Sequence, residues 1–388
     1  MRRKTEKERF EKLLGRPTPF YAWDLELFQE RISYVFSCFS RFPKFRLFYS
    51  MKSNPSPLDI RAILGTDAGV DVCSVGELNL ALSQGIPPTI ISACPFVPNR
   101  EELSRYLDSG CDLALDSIQD ISLVSEILPK GKKIGLRVNP DVRAGFHDHC
   151  ASGVWNSKFG IPLEELPQAL ELANSHGIQI AGLHVHAGSS AYDPKPYLEA
   201  ISKLLRYVKL LGLESGYVNI GGGWGIPFDT QEDSDSQDHF PLDQYAGAIA
   251  ALLEEQGLLE TLEVRAEPGE FLIGPCGFLV CQVRRVLDRR NEEKELRIAV
   301  IDGGSYLYPG PSLYGAENFI LILNRNEPKN KEQLIAGRSM LAGDLFGPMR
   351  VLPVMKEGDT LAIGSAGAYS YAKRSGFNLL PLLGEFIL

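Results

Sequence analysis

Residues 46–55 read Arg-Leu-Phe-Tyr-Ser-Met-Lys-Ser-Asn-Pro, an apolar and aromatic run that ends in a lysine and a turn. Aromatic residues bounded by turn formers are typical of a buried strand that leaves a sheet. A lysine at the carboxyl end of a barrel strand would lie where (β/α) barrels build their active sites. Burial there would lower the pKa of Lys52, and a neutral amine can form a Schiff base with an aldehyde. A solvated lysine at the edge of a loop is the alternative, and this stretch alone favours it.

Strands and helices alternate outward from this stretch. Eight short apolar segments are predicted to be strands, at residues 46–51, 69–72, 89–93, 111–115, 133–138, 180–185, 216–220 and 262–266. Amphipathic segments are predicted to be helices, at residues 56–64, 75–84, 99–108, 117–127, 163–175, 195–211 and 242–256. Eight strands alternating with helices predict a (β/α)8 TIM barrel, with a doubly wound open sheet as the alternative.

The two ends of the chain differ from this alternation. A helix over 5–15, a strand over 20–24 and a helix over 25–42 are predicted before the first barrel strand. After about residue 270, turn residues separate short predicted strands at 277–287, 297–301, 317–323, 338–342 and 360–364. We therefore predict a barrel domain over residues 25–268 and a β domain formed by residues 1–24 and 269–388.

The composition narrows the class of protein. Of 388 residues, 44% are hydrophobic and 23% are charged, as in a globular protein. The net charge of −9, from 40 basic and 49 acidic residues, argues against nucleic acid as a partner. No apolar run reaches the ~20 residues that span a bilayer, and the charged N-terminus shows no secretory signal. Seven scattered cysteines without a Cys-x-x-Cys pair indicate reduced thiols of a cytoplasmic protein.

Three glycines, Gly221, Gly222 and Gly223, directly follow a predicted strand. Glycines let successive backbone N–H groups approach an anion without a Cβ in the way. A phosphate is the natural ligand at the carboxyl end of a barrel strand. A tight turn that only needs positive φ is the alternative, and the motif alone names no ligand.

His184 and His186 lie two residues apart, so that both point to one face of a strand. They could bind a metal, stack on a ring or pack in the core. Because no third ligand lies at convincing spacing, we predict no metal site. Ser189 adds a hydroxyl that could bind a phosphate.

Glu267 begins the sequence Glu-Pro-Gly at the end of the predicted strand 262–266. A carboxylate there can hold a ring nitrogen protonated, which makes a pyridine ring a strong electron sink. An ion pair between Glu267 and Arg265 is the alternative.

The motifs together resemble one known family, the fold-type III pyridoxal-phosphate decarboxylases, which include the diaminopimelate and ornithine decarboxylases. Nine motifs carry the resemblance in order over about residues 18 to 382: Lys52 after Phe-Tyr-Ser-Met, Asp71 to Glu77, Arg137-Val138-Asn139-Pro140, Lys158-Phe159-Gly160, His186 to Ser189, Gly221 to Gly223, Glu267-Pro268-Gly269, Asp302-Gly303-Gly304 and Gly367-Ala368-Tyr369. The resemblance implies a barrel plus a C-terminal β domain that takes in the N-terminal strand. It also implies pyridoxal 5'-phosphate (PLP) as cofactor, an amino-acid-type substrate, and homodimers with active sites at the subunit interface.

The resemblance also implies roles for individual residues. Lys52 would be the lysine that forms the internal aldimine, His186 would stack on the cofactor ring, and Glu267 would hold the pyridinium nitrogen. The phosphate would be surrounded by Ser189, Gly221, Gly222, Gly223 and Tyr369. The lysine and the Schiff base would be positioned by Asp71, Glu77 and Arg137.

One departure from the family concerns proton transfer. Family members usually carry a cysteine in a box of the β domain that helps to protonate Cα after carbon dioxide leaves. This chain has Met340 there, in Gly337-Arg338-Ser339-Met340-Leu341-Ala342-Gly343-Asp344. A methionine has no proton to give, so the donor must be Lys52, a water molecule or another group.

Three further departures concern the substrate. Leu341 stands where diaminopimelate decarboxylases carry a Glu for the distal amine, and both Gly310 and Glu270 stand in place of an Arg. These changes argue against meso-diaminopimelate, because Gly and Glu cannot replace the bidentate binding of a carboxylate by Arg. We expect a substrate with a cationic or bulky distal part, with Glu270 and Asp344 as counter-charges and Tyr314 and Leu341 nearby.

Two short runs point to particular relatives. Leu-Ala-Gly-Asp at 341–344 resembles carboxynorspermidine decarboxylases, and Gly-Gly-Gly-Trp-Gly-Ile-Pro at 221–227 is similar to decarboxylases of siderophore and antibiotic pathways. A true diaminopimelate decarboxylase and an inactive homologue that only binds a partner are the alternatives. An amino-acid racemase is a third, which Glu267 disfavours because such racemases use a neutral pyridine ring.

Overall fold

The computed structural model describes residues 6–145, 152–227, 240–290, 292, 294–326, 328–381 and 384–388. The chain forms two compact units, one of residues 29–226 and 238–272, the other of residues 1–28, 227–237 and 273–388. The domain boundaries at 24/25 and 268/269 stay a prediction.

Within the described residues, the larger unit is a closed barrel of eight parallel strands. The strands, numbered one to eight in chain order, are Phe45–Ser50, Gly69–Val72, Ile91–Ala93, Asp112–Leu115, Lys133–Asn139, Gln179–Val185, Tyr217–Asn219 and Glu263–Ala266. Each pairs with the next, and the eighth pairs with the first, which closes the barrel. A further two-residue strand, Ile161–Pro162, pairs with the fifth. The predicted TIM barrel is therefore confirmed, and the open sheet is excluded.

Helices connect most of these strands. They are Pro57–Ile63, Val75–Ser83, Arg100–Ser109, Ile118–Ser125, Leu166–Ser175, Lys195–Leu210 and Leu242–Glu255, each within a few residues of its prediction. Helix starts are set by capping side chains, for example Asn99, which forms a capping box with Glu102. The helix before the barrel, Leu25–Cys38, ends four residues earlier than predicted. Phe39 and Phe42 continue its apolar spacing but pack against each other beyond its end.

The interior of the barrel at the amino ends of its strands is filled by Tyr217 and Arg265. The guanidinium of Arg265 lies 3.6 Å from the centre of the Tyr217 ring and donates to Asp112 at 3.0 Å. The fifth strand carries Gly135 here, where a Cβ would lie 2.0 Å from the Tyr217 hydroxyl oxygen. This end of the barrel is therefore a packed core.

The smaller unit contains, among its described residues, an eight-stranded sheet. Its strands are Phe20–Trp23, Gly277–Arg290, Glu295–Ile301, Ile320–Ile322, Lys329–Ala336, Arg350–Pro353, Thr360–Ile363 and Glu385–Ile387, with short helices at Glu6–Phe10 and Gly310–Tyr314. The N-terminal strand Phe20–Trp23 pairs with Gly277–Arg290 and with Glu385–Ile387. The C-terminal β domain that takes in the N-terminal strand, as the resemblance implied, is therefore present.

The predicted strand at residues 338–342 is wrong. This segment is a turn, held by the buried carboxylate of Asp344, which accepts N–H bonds from Ser305 at 2.6 Å and Ser339 at 2.9 Å. The neighbouring strands Lys329–Ala336 and Arg350–Pro353 were missed. Residues 329–332 are polar or charged and exposed, and Arg350–Pro353 is only four residues long, so the hydrophobic pattern that identifies a strand is weak in both. Across the described residues, no helix is both long and apolar enough to cross a membrane.

Candidate active site

Lys52 lies just beyond the first barrel strand, as predicted. Its Nζ is 2.7 Å from the hydroxyl oxygen of Ser50 and 3.5 Å from Oδ2 of Asp71. The Ser50 hydroxyl in turn donates to the same Oδ2 at 2.7 Å. These contacts follow from the register of the first two strands, which pairs Ser50 with Asp71. The expected desolvation of Lys52 is only partial, because 44% of its side chain is exposed.

The buried carboxylate of Glu267 is held by groups from three other barrel strands. Its Oε1 accepts hydrogen bonds from Ser92 at 3.0 Å and from Asn219 at 2.5 Å. Its Oε2 lies 3.2 Å from Nε2 of His184. Burial alone would raise the pKa of Glu267, but His184, the charge of Lys52 and the hydrogen bonds outweigh it and hold this pKa well below the ordinary value. Glu267 is therefore an anion.

Arg265, the alternative partner of Glu267, faces elsewhere. Its guanidinium donates to Glu263 at 2.5 Å and to Asp112 at 3.0 Å at the other end of the strand. The alternative of an ion pair between Glu267 and Arg265 is therefore wrong, and the role of Glu267 toward a ring nitrogen stays a prediction.

The pKa of Asp71 is shifted in the opposite direction to that of Glu267. Burial, and then the negative charge of Glu267, raise the pKa of Asp71 above its ordinary value. Its second oxygen, Oδ1, is buried without a hydrogen-bond partner among the described residues. Two carboxylates whose pKa values are driven apart in one site are typical of enzymes that need an anion and an acid together.

His186 follows the sixth strand and faces the glycine turn. Its Nδ1 accepts the backbone N–H of Gly222 at 3.3 Å, and its Nε2 lies 3.5 Å from the hydroxyl oxygen of Ser189. Burial, and then the positive charge of Lys52, hold the pKa of His186 well below its ordinary value. The imidazole is therefore neutral, which suits a ring that stacks on another ring.

The triple glycine forms a tight turn between two other loops. The N–H of Gly221 donates to Asn219 at 2.9 Å. Gly223 has φ +88°, and a Cβ on it would lie 1.9 Å from the carbonyl oxygen of Gly188. The Tyr197 hydroxyl lies 3.0 Å from the carbonyl oxygens of both Gly188 and Gly223, so it ties the two loops together.

The other residues expected to position the lysine have partners of their own. Arg137 is buried on the fifth strand, donates to Asp116 at 3.0 Å and lies 4.7 Å above the ring of Phe159. Glu77 accepts the backbone N–H of Cys73 at 2.7 Å, which fixes the turn after the second strand. Both residues shape the loops around the site, and their roles toward a Schiff base stay predictions.

Four of the predicted site residues lie exposed or half-buried in the smaller unit. Tyr369 and Tyr314 lie on either side of Lys373, whose Nζ is 4.8 Å and 5.7 Å from their ring centres. Met340 is 84% exposed and Leu341 is 51% exposed.

Asp344, also in the smaller unit, differs from these four. Its side chain is buried, and its carboxylate accepts the backbone N–H groups of Ser339 in the turn and of Ser305 in another loop. It is therefore not available as a counter-charge for a substrate, contrary to the expectation from the sequence.

Sequence reasoning missed Ser50, Ser92 and Asn219. Each is a single polar residue in or after an apolar strand, and only the closure of the barrel shows what it contacts. Ser50 had one signal, since it lies two residues before Lys52 and alternation places both side chains on one side of the strand.

The carboxyl ends of the parallel barrel strands thus carry an amine, a buried anion and a glycine turn. This arrangement is typical of one class of protein, the PLP enzymes built on a barrel and a β domain. Residues 29–274 match the family described as pyridoxal-dependent decarboxylase, pyridoxal binding domain. The chain belongs to this family, and it is a PLP-dependent carboxy-lyase of the diaminopimelate and ornithine decarboxylase type. Membership of a decarboxylase family also sets aside the racemase alternative.

Similar proteins carry the name of one member of this family. The diaminopimelate decarboxylase of Methanothermobacter thermautotrophicus is 33% identical over 96% of this chain and 86% of its own length. That of Aquifex aeolicus is 31% identical over the same shares of the two chains. The crystal structure of diaminopimelate decarboxylase from Helicobacter pylori complexed with L-lysine covers 97% of this chain and 93% of its own, with a TM-score of 0.87 and 26% identity.

The residues present fit PLP. A Cβ on Gly222 would lie 2.3 Å from the carbonyl oxygen of Glu267, so only glycine leaves room for the turn that would hold the phosphate. Lys52 would bind the aldehyde carbon, and the anionic Glu267 would hold the ring nitrogen protonated. When bound, the cofactor supplies the electron sink for decarboxylation. No group of three or more potential metal ligands lies within the part of the chain that the structure describes.

We expect Gly223→Ala to lower the affinity for PLP by about tenfold or more, because its Cβ would collide with the backbone of the facing loop. Titration of the cofactor-free variant with PLP, followed by absorbance, measures the change. Gly212→Ala is the matched control, since Gly212 also has positive φ but no atom lies within 4 Å of its added Cβ. Equal affinities of the two variants would contradict a role of the triple glycine in binding phosphate.

Proposed function

We propose that this enzyme removes the α-carboxylate of an amino-acid-type substrate whose distal part is cationic or bulky, and that meso-diaminopimelate is not its main substrate. The buried Glu270 supports this most directly. It follows Glu267 by three residues, and its Oε2 accepts a hydrogen bond from the Ser190 hydroxyl at 2.5 Å. Glu270 stands where the resemblance implies an arginine, so the charge at this position is reversed.

Four groups of the larger unit would each have a distinct role in the reaction. Glu267, as an anion, would keep the ring of the cofactor cationic. The neutral imidazole of His186 would pack on the face of that ring. The backbone N–H groups of the glycine turn would bind the phosphate, and Lys52, released by the incoming substrate, would be left near Cα with a proton to move.

The smaller unit would supply the rest of the site through a homodimer. The exposure of Met340 and Leu341, both uncharged, supports a surface that another subunit covers. Tyr369 would contact the phosphate and Tyr314 the substrate. Both the homodimer and the cytoplasmic location are proposals that rest on the sequence; sedimentation of the active enzyme as a monomer would contradict the first.

Diaminopimelate decarboxylase itself is the second candidate. It is favoured by the names of the relatives at 33% and 31% identity, which match over nearly the whole chain. The two candidates differ only in the distal part of the substrate, so a substrate panel separates them.

We expect carbon dioxide release from ornithine, lysine and carboxyalkyl-amine substrates to identify one that exceeds meso-diaminopimelate in kcat/KM by tenfold or more. Glu270→Gln should lower kcat/KM on that substrate by about tenfold, because a charge-assisted contact is lost. Glu199→Gln is the control, because this exposed change breaks an ion pair with Lys203 on the surface of the barrel unit.

Two other outcomes of the substrate panel would favour a different function. Robust activity on meso-diaminopimelate alone would replace the proposal by the second candidate. Binding of PLP without carbon dioxide release from any substrate would support the inactive homologue.

A further inference from the structure

We propose that Ser50 carries protons between Asp71 and Lys52, and thereby enables Lys52 to protonate Cα after carbon dioxide has left. This role goes beyond the proposed function and rests on it. Ser50 is a positioning residue in this scheme, because it acts through Lys52 and does not itself touch the reacting carbon.

The geometry forms a continuous hydrogen-bonded route. Ser50 Oγ lies 2.7 Å from both Lys52 Nζ and Asp71 Oδ2, whereas the direct separation of the amine and the carboxylate is 3.5 Å. A hydroxyl donates one hydrogen bond while it accepts another. Reversal of the two bonds therefore moves one proton between Asp71 and Lys52 without displacement of a heavy atom. Ser50 is 2% exposed, so water does not compete for its hydroxyl.

The reaction needs such a route because it consumes a proton. When the bond between Cα and the carboxylate breaks, the electron pair left behind must receive a proton before the product amine can leave. Met340 occupies the position of the usual donor in the sequence, and its thioether has no proton. The proton must therefore come from elsewhere in the site.

The transfer balances in four movements. Ser50 takes the carboxyl proton of Asp71 and gives its own hydroxyl proton to the neutral amine of Lys52. The Lys52 ammonium then gives a proton to Cα and becomes a neutral amine again. Between turnovers, this amine takes a proton from water at its exposed end, and the same route passes a proton back to the Asp71 carboxylate. Each cycle releases one carbon dioxide and consumes one proton from water.

The charges around Asp71 support its role as the residue that holds the proton before it is transferred. Burial acts on Asp71 most strongly, followed by the charges of Glu267 and Lys52, and it also interacts with His184, Glu77 and Cys73. Burial and the anionic Glu267 raise the pKa of Asp71, while that of Glu267 itself is lowered. A proton shared by the two carboxylates therefore resides on Asp71, the one that Ser50 contacts.

The first test compares turnover. Ser50→Ala and Asp71→Asn should each lower kcat by about tenfold to a hundredfold with little change in KM. The double variant should be no slower than the slower single variant, because both changes interrupt one route. Ser50→Thr, which keeps a hydroxyl, should restore most of the rate. Ser53→Ala removes a buried hydroxyl whose bond among the described residues is to the Ser50 carbonyl oxygen, at 2.6 Å, and should leave kcat unchanged.

The second test needs no cofactor. The pH dependence of Lys52 labelling by trinitrobenzenesulfonate is measured in cofactor-free protein by peptide mass spectrometry. Since the Ser50 oxygen accepts a hydrogen bond that favours the ammonium form, Ser50→Ala should shift labelling to lower pH by about one unit. Ser53→Ala should label as the unchanged protein does.

Two results would overturn the inference. One is an unchanged kcat and labelling profile in Ser50→Ala. The other is a double variant whose loss equals the product of the two single losses, since that would make the two residues independent. Absence of carbon dioxide release from the unchanged protein would instead count against the proposed function, and the labelling would still test the route.

Discussion

Lys52→Ala is expected to abolish both the attachment of PLP and the release of carbon dioxide, with turnover lowered about a thousandfold or more. The amine is the group that would bind the aldehyde and, in our proposal, the acid that protonates Cα, so one change removes both functions. The visible absorbance band of lysine-bound pyridoxal, its loss with borohydride, and carbon dioxide release measure the two effects separately.

Lys44→Ala is the matched control for this variant. Lys44 precedes the same strand and lies at its other end, where Nζ donates to the carbonyl oxygen of Thr261 at 2.9 Å. This variant should keep the absorbance band and the turnover. Retained turnover in Lys52→Ala would contradict the proposed site as a whole, whether or not the absorbance band is lost.

Glu267→Gln is expected to lower kcat by about a hundredfold or more while PLP still binds. The carboxylate is anionic over the working pH range because its pKa is held well below the ordinary value. A neutral amide in its place cannot hold the ring nitrogen protonated, so the electron sink weakens. Absorbance titration gives the affinity for PLP, and single-turnover carbon dioxide release gives the rate of the chemical step.

Glu263→Gln tests whether position on the strand matters. Glu263 begins the strand that Glu267 follows and bonds to Arg265 at the packed end of the barrel. This variant should lose some stability and keep the rate of the chemical step. An equal fall in rate for both glutamates would show that the effect of Glu267→Gln arises from destabilisation of the barrel.

The barrel could be predicted from the sequence because its strands are buried on both sides. Segment 69–72, Gly-Val-Asp-Val, is short, rich in valine and bounded by turn residues, and the structure has the strand at Gly69–Val72. The smaller sheet was less predictable. Residues 329–332 read Lys-Asn-Lys-Glu and lie exposed, so only the pairing of Lys329–Ala336 with its neighbours makes a strand of them.

The residues of the site also differ in how well the sequence predicts them. Lys52, His186 and Glu267 lie in motifs whose residue types are unusual at strand ends, so they could be singled out. Ser92 and Asn219 are common residues whose importance comes from pointing at Glu267 across the barrel, which no spacing along the chain reveals. Asp344 shows the opposite error, because its carboxylate, which lies in a promising motif, binds the backbone N–H groups of Ser305 and Ser339 instead of facing a substrate.

The packing of Tyr217 and Arg265 at the amino ends of the barrel strands has a consequence for how water enters the site. Since these side chains fill the barrel at the amino ends of the described strands, we expect solvent and substrate to reach Lys52 from the carboxyl ends. A substrate bound over Lys52 would therefore block the access of bulk water to Cα. A proton loaded onto Asp71 before the substrate enters would then be the supply at hand when carbon dioxide leaves.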